Sequence, residues 1–192
     1  MITSPLITWD LFAKASKFTL SRYIDFFISS KLYPHTNHTI ISWVSFTNTS
    51  INVSSFSARL AIVPLTTTTA SLASCIIALL IVPPKFSLTL HTNSHQLGQQ
   101  YHSYTNSSTL WRKHSLNNWS FWTIICHLQA AKDLHITFVR IRDKKHRWIK
   151  KASDLAKIDT KIELDLDYLI DRFSLVTSVY NNIRWINNTK SF

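Results

Sequence analysis

Apolar positions along this 192-residue chain follow two periods, one near two residues and one near 3.6. Residues 18–28 (FTLSRYIDFFI) are crowded with aromatic and branched side chains, residues 39–47 (TIISWVSFT) alternate, and residues 51–62 continue in the same manner. All three segments are expected to be strands. The turns between them carry Pro34, His35 and Asn37, then Asn48. Four threonines, Thr66 to Thr69, offer hydroxyl N-caps to a helix expected over 70–81, which Pro83 and Pro84 end. Residues 86–92 (FSLTLHT) alternate again as a fourth strand, and 94–102 suit a short helix before a polar loop at 105–109. Trp122, Ile125, Leu128 and Gln129 recur at helical spacing within 117–132. A fifth strand is expected over 135–142 (HITFVRIR) and a last helix over 150–158. The order β-β-β-α-β-α-α-β-α gives an antiparallel start and a βαβ finish, the mark of an α/β domain.

No internal repeat or linker divides the chain, so one domain is expected over 18–158. Residues 1–17, with a short amphipathic piece at 9–15, form an extension, and 159–192 form a tail. Within that tail Ile162, Leu164 and Leu166 alternate with Glu163, Asp165 and Asp167. As a strand this places three acids on one face, which suits a solvated surface, a cation site or a mask over a basic loop.

Composition sharpens this outline. Hydrophobic residues make up 45% and aromatic residues 12%, enough for a packed core and against disorder. There is one glycine, Gly98, so turns needing positive φ must fall to asparagine or to strained residues. Cys75 and Cys126 lie in apolar stretches without metal-knuckle spacing and are expected as buried thiols. Residues 1–17 contain Trp9, Asp10, Lys14 and Lys17 and lack the apolar run of an export signal. The longest apolar stretch, 72–82, is too short to span a bilayer. The expectation is an intracellular protein, nuclear or cytoplasmic and not secreted.

Charge points to a partner. Lysine and arginine number 21 against 10 acids, giving a net charge of +11. The sequence pI is about 9.9. Such an excess favours a polyanion, either nucleic acid or an anionic membrane, although no long basic amphipathic helix argues for the membrane. The densest run is Arg140, Arg142, Lys144, Lys145, Arg147, Lys150 and Lys151, interleaved with His146 and Trp148. It is a candidate phosphate-binding surface of low sequence specificity, with a solvated loop as the plainer alternative and Trp148 packed beneath it. His91, His95 and His102 have near-helical spacing, but His91 falls in a strand and no cysteine or acid completes a zinc set.

Several strings in this order resemble those of a retroelement-type ribonuclease H type 1 domain. Arg22-Tyr23-Ile24-Asp25-Phe26-Phe27 is similar to the family's first-strand "YTDGS", which sets Asp25 at the metal-binding aspartate. Thr67-Thr68-Thr69-Ala70-Ser71-Leu72 with Ala78-Leu79-Leu80 resembles "SSTxAEL…AL", and Ser71 takes the glutamate's place. Pro83-Pro84 and then Leu88-Thr89-Leu90-His91-Thr92-Asn93-Ser94 resembles "VPP…VTIYTDS", with Asn93 at the second aspartate. Val139-Arg140, Trp148 and Ala152-Ser153-Asp154-Leu155-Ala156-Lys157 is similar to the closing "VKxH…W…ADxLAK" region. There Ser153 aligns with the aspartate and Asp154 is displaced by one residue, about 100° around a helix. The glycine and serine expected after Asp25 are replaced by Phe26 and Phe27, and His146 is out of register with the family's late histidine.

The resemblance implies a ribonuclease H-like fold with a five-stranded mixed sheet flanked by helices. It also implies two-metal hydrolysis of the RNA strand of an RNA–DNA hybrid, with Mg²⁺ or Mn²⁺ held by clustered carboxylates. No aspartate or glutamate occurs between Asp25 and Asp133, so the middle helix and the fourth strand supply no carboxylate in any register. The expectation is a domain that binds RNA–DNA hybrid or RNA with hydrolysis lost or severely impaired, with Asp25 a remnant ligand and Asp154 a weak one. The rivals are an active hybrid ribonuclease with an improvised metal site and a retroelement relic without function.

Overall fold

In the computed structural model, β1 (Tyr23–Tyr33) occupies the centre of a sheet and is paired on both sides. The structure describes residues 22–33, 35, 38–47, 54–60, 66–143, 145–158, 160 and 162–164. The expected pieces at 1–17, 18–21 and 165–192, and Lys144 of the basic run, lie outside these residues. β2 (His38–Thr47) pairs antiparallel with β1, and β3 (Ser54–Leu60) antiparallel with β2. β4 (Ser87–Thr92) lies parallel to β1 on its other side, and β5 (His135–Arg140) parallel to β4.

Among the described residues the sheet has six strands, in the order β5-β4-β1-β2-β3-β6, one more than the five expected. The extra strand is β6 (Glu163–Leu164), which pairs parallel with β3. Its neighbour Ile162 accepts a hydrogen bond from Arg59 N at 2.8 Å, and Leu164 is buried in the core. The alternation of apolar residues at 162 and 164 thus serves the same core as the rest of the sheet.

Helix α1 (Thr67–Ile81) begins on a capping box. Thr66 Oγ1 accepts from Thr69 N at 3.1 Å, and Thr69 Oγ1 accepts from Thr66 N at 2.8 Å. Every residue from Ala70 to Ile81 is buried, because α1 is pressed between the sheet and helix α4 (Trp119–Lys132). A helix covered on all sides must be apolar on all sides, and each fully buried leucine or isoleucine contributes about 1.5–3 kcal/mol. The C-terminal carbonyls of α1 are satisfied by Lys132. Its Nζ donates to the carbonyl oxygens of Leu79, Leu80 and Val82 at 3.0, 2.7 and 3.0 Å. Burial pushes that ammonium down to a pKa of about 8.

Helix α2 (His95–Asn106) runs four residues past its expected end and docks on α4. Tyr101 Oη donates to Gln129 Oε1 at 2.8 Å, and Tyr104 Oη lies 2.6 Å from Thr123 Oγ1. The short helix α3 (Leu110–His114) falls where no element was expected; Thr109 caps it. Helix α5 (Arg147–Leu155) begins three residues earlier than expected and covers the opposite face of the sheet from α1. Positive φ is carried by Lys85, Asn118 and Asp133. Gly98, inside α2, has no such duty.

Candidate functional site

Alternation along β1 divides its side chains between the two helical layers. Phe26, Ile28 and Ser30 face α1, and Ser30 Oγ stands 3.0 Å from Ser71 Oγ and 3.3 Å from the Thr67 carbonyl oxygen. Asp25, Phe27 and Ser29 face α5. Asp25 Oδ1 lies 2.8 Å from Nε2 of His91 on the neighbouring parallel strand β4. Phe27 stacks on the His91 ring at 4.3 Å and on His146 at 5.2 Å.

This arrangement separates Asp25 from Ser71. They belong to opposite faces of the sheet, and Ser30, the strand residue that touches Ser71, is five residues further along β1. At roughly 3.3 Å per residue this is about 16 Å. The parallel ladder shows what lies at the strand ends instead. Phe27 opposite His91 is the last pair of that ladder, and Asn93 follows just past the end of β4. The Ser42 hydroxyl of β2 lies 3.3 Å from the Ser29 carbonyl oxygen and donates to the Ala152 carbonyl oxygen of α5 at 2.7 Å. Thr68 Oγ1 donates to Gln96 Oε1 at 3.3 Å, tying the first turn of α1 to the first turn of α2. Four elements therefore meet at one end of the sheet: β1 at Ser29–Ser30, α1 at Ser71, the end of β4 at Asn93, and α5 at Ser153.

A cleft of about 530 Å³ opens there, lined by Asn93, Lys145, Ile149, Lys150, Ser153, Asp154 and Lys157. Three of the expected positions, 93, 153 and 154, share this lining; Ser71 reaches the same end of the sheet through Ser30. Asp25 is not part of it.

The electrostatics of the cleft are positive. Its lining carries three lysines and one aspartate. The lone carboxylate is engaged: Lys157 Nζ donates to Asp154 Oδ1 at 2.7 Å. That hydrogen bond, with the charges of Lys157 and Lys150, holds the Asp154 carboxyl below the usual carboxylate range. Mg²⁺ and Mn²⁺ want several anionic oxygens, and a two-metal site wants them clustered. Neutral hydroxyl and amide oxygens beside three ammonium groups do not fit such a pair of ions. Among the described residues, no group of three or more histidine, cysteine, aspartate or glutamate side chains is placed to hold a metal. His91 is engaged with Asp25, and His102 lies 2.9 Å from the Asn106 amide.

The basic run extends from the cleft. Arg140 ends β5, and Arg142 and Lys145 follow it on the surface. Lys145 N donates to Asp143 Oδ1 at 2.8 Å, which sets the bend before α5. Trp148 packs edge-on against Phe46 of β2 at 4.3 Å, and Arg147 and Lys151 lie over its ring at 4.7 and 5.5 Å. These two cations are thus held at the surface by one indole. A second feature was not expected. On α3, Leu110 and Trp111 are 74% and 80% exposed, next to Arg112, Lys113 and His114. Among the described residues, no helix is long and apolar enough to cross a membrane.

No protein-family profile and no curated protein sequence matches the chain. Solved structures do. The ribonuclease H1 of the halophilic archaeon Halobacterium salinarum is similar over 70% of this chain and 95% of its own, with a TM-score of 0.50 and 14% identity. LC11-RNase H1, solved in complex with an RNA/DNA hybrid, is similar over 70% of this chain and 94% of its own, with a TM-score of 0.51 and 17% identity. The N-terminal RNase H domain of rv2228c from Mycobacterium tuberculosis is similar over 70% and 96%, with a TM-score of 0.50 and 10% identity. The fold is therefore ribonuclease H-like, as the sequence strings implied.

Proposed function

We propose that this chain is a nucleic-acid-binding domain on a ribonuclease H-like fold that holds RNA–DNA hybrid, or RNA, without hydrolysing it. The observation that carries this reading is the inverted charge of the cleft at the ends of β1 and β4. Asn93 and Ser153 line it as neutral groups, together with Lys145, Lys150 and Lys157. In this reading Ser29, and not Asp25, stands at the first aspartate's position. Asp25 is a structural partner of His91.

Chemistry supports a binder in preference to a hydrolase. Stabilising an attacking water and a leaving oxygen by metal ions needs carboxylates to offset the ions' charge, and the single carboxylate here is neutralised by Lys157. The same lysines attract phosphates and release counterions when they are bound. Arg140, Arg142, Lys145, Arg147, Lys150 and Lys151 extend that surface, and contacts of this kind position a duplex without reading its bases. Trp111, with Arg112 and Lys113, offers an aromatic and cationic contact of its own. The hybrid-bound structure similar to this chain supports hybrid as the first duplex to test.

The test is a titration of a labelled RNA–DNA hybrid at several salt concentrations. The reading expects binding whose log affinity falls linearly with log salt with a slope of several units. Affinity independent of salt, or no binding by folded protein at low salt, rejects it.

A further inference from the structure

Charge and size together suit the cleft to one kind of ligand more than to a passing backbone phosphate. Its lining holds three lysines against one aspartate, a net charge of +2. A phosphodiester carries one negative charge, whereas a phosphomonoester carries about −1.5 to −2 near pH 7. Its volume of about 530 Å³ lies within the range of small-molecule sites, about 300–1,000 Å³, so there is room for a phosphate with its nucleoside. Asn93 and Ser153 bring an amide and a hydroxyl as neutral donors, and the buried Ile149 supplies an apolar wall. Lys157 is hydrogen-bonded to Asp154, so Lys145 and Lys150 are the lining cations that form no salt bridge among the described residues. Lys145 is also anchored, because its backbone N–H is fixed to Asp143.

We infer that the cleft between the end of β4 and α5 binds a phosphomonoester, the terminal phosphate of a nucleic-acid strand or of a mononucleotide, through Lys145, Lys150, Asn93 and Ser153. This deepens the proposed nucleic-acid reading and rests on it for the strand-end source. It assigns the ammonium groups the charge-neutralising role that metal ions play in hydrolytic sites, so phosphate binding here needs no divalent cation. The cleft thereby becomes an end-recognition site within the surface that tracks the backbone.

The experiment compares one RNA–DNA hybrid in three forms, with a 5′-phosphate, a 3′-phosphate or hydroxyl ends, by fluorescence anisotropy in EDTA. AMP and inorganic phosphate serve as competitors and are also titrated alone. The expected result is at least about fivefold tighter binding of one phosphorylated form, lost in Lys145→Gln/Lys150→Gln. Both lysines are exposed, so the melting temperature of that variant stays near the parent's and reports that the fold is kept. Asn93→Ala provides a second variant and reduces the preference without changing net charge. Equal affinity for all three hybrids, or a preference that survives the lysine changes, overturns the inference while leaving backbone binding intact. AMP binding that depends on these lysines, without any hybrid binding, supports the site and overturns the nucleic-acid reading instead.

Discussion

Asp25 and His91 are paired across neighbouring parallel strands, with Oδ1 2.8 Å from Nε2, on the sheet face that α5 covers. The carboxylate most suggestive of catalysis in the sequence is thus occupied with an imidazole. It also lies on the other face of the sheet from Ser71. Its role in this account is to satisfy a half-buried histidine whose ring is stacked on Phe27.

Asp25→Ala is therefore expected to cost about 0.5–1.5 kcal/mol of stability, the usual worth of such a hydrogen bond, and to leave hybrid affinity within twofold of the parent. Chemical denaturation and anisotropy on the same preparations check both halves. A large loss of affinity at unchanged stability contradicts the placement of Asp25 outside the binding cleft.

How far the sequence reveals this molecule can be judged from particular residues. The threonine cap, the fully apolar helix and the double proline predicted α1 closely, because those signals are local. The alternation of residues 86–92 gave β4 for the same reason. The far end of β1 was not legible, because the expected strand stopped at Ile28 while pairing with β2 carries it on to Tyr33. Register between β1 and β4 is a long-range property, fixed only by pairs such as Phe27 with His91. The alternation over 162–167 was legible as a strand, but its place in the sheet was not, because that depends on the open edge of β3. The short helix α3 lacked any apolar face to announce it, since both of its large apolar side chains point outward.

Trp111→Ala tests the exposed indole. Base–aromatic stacking is worth about 1–3 kcal/mol, so hybrid or RNA affinity is expected to fall by at least about fivefold. Because the ring is 80% exposed, the melting temperature should hardly move. Unchanged affinity removes α3 from the interface.

Lys145→Gln and Lys150→Gln are each expected to lower the log–log salt slope of hybrid binding by about one unit, since each phosphate neutralised contributes about 0.9. Sequence preference should not change, because such contacts position a duplex without reading it. A weakened affinity with an unaltered slope argues that these lysines act through the fold.

Lys132 gives a prediction with a pH signature. Lys132→Met leaves the carbonyls of Leu79, Leu80 and Val82 without their donor and is expected to cost about 1–3 kcal/mol near pH 7. Burial lowers the folded-state pKa from 10.5 to about 8. Between those values the unfolded chain binds more protons at Lys132 than the folded one, so the parent gains stability as pH rises from 8 to 10.5. The cost of Lys132→Met should grow over the same window. Cys75, whose thiol burial pushes up, is common to both proteins and drops out of the comparison. Urea denaturation at pH 7.5 and 9.5 decides this.

Gly98→Ala should stabilise the protein. Gly98 lies within α2 at negative φ, and an added Cβ meets only Phe138 Cβ at 3.7 Å, an ordinary contact. Replacing a helical glycine with alanine is worth about 0.5–1 kcal/mol. A fall in melting temperature shows that the Phe138 contact is tighter than this packing allows.

The central claim is that a lysine-lined cleft has replaced a carboxylate-lined one, so the domain holds hybrid without cutting it. One native gel followed by one denaturing gel tests it most directly, using an end-labelled RNA–DNA hybrid with folded protein and Mg²⁺ or Mn²⁺. The account predicts a shifted hybrid whose RNA strand stays full-length with either metal. A metal-dependent RNA product would contradict it.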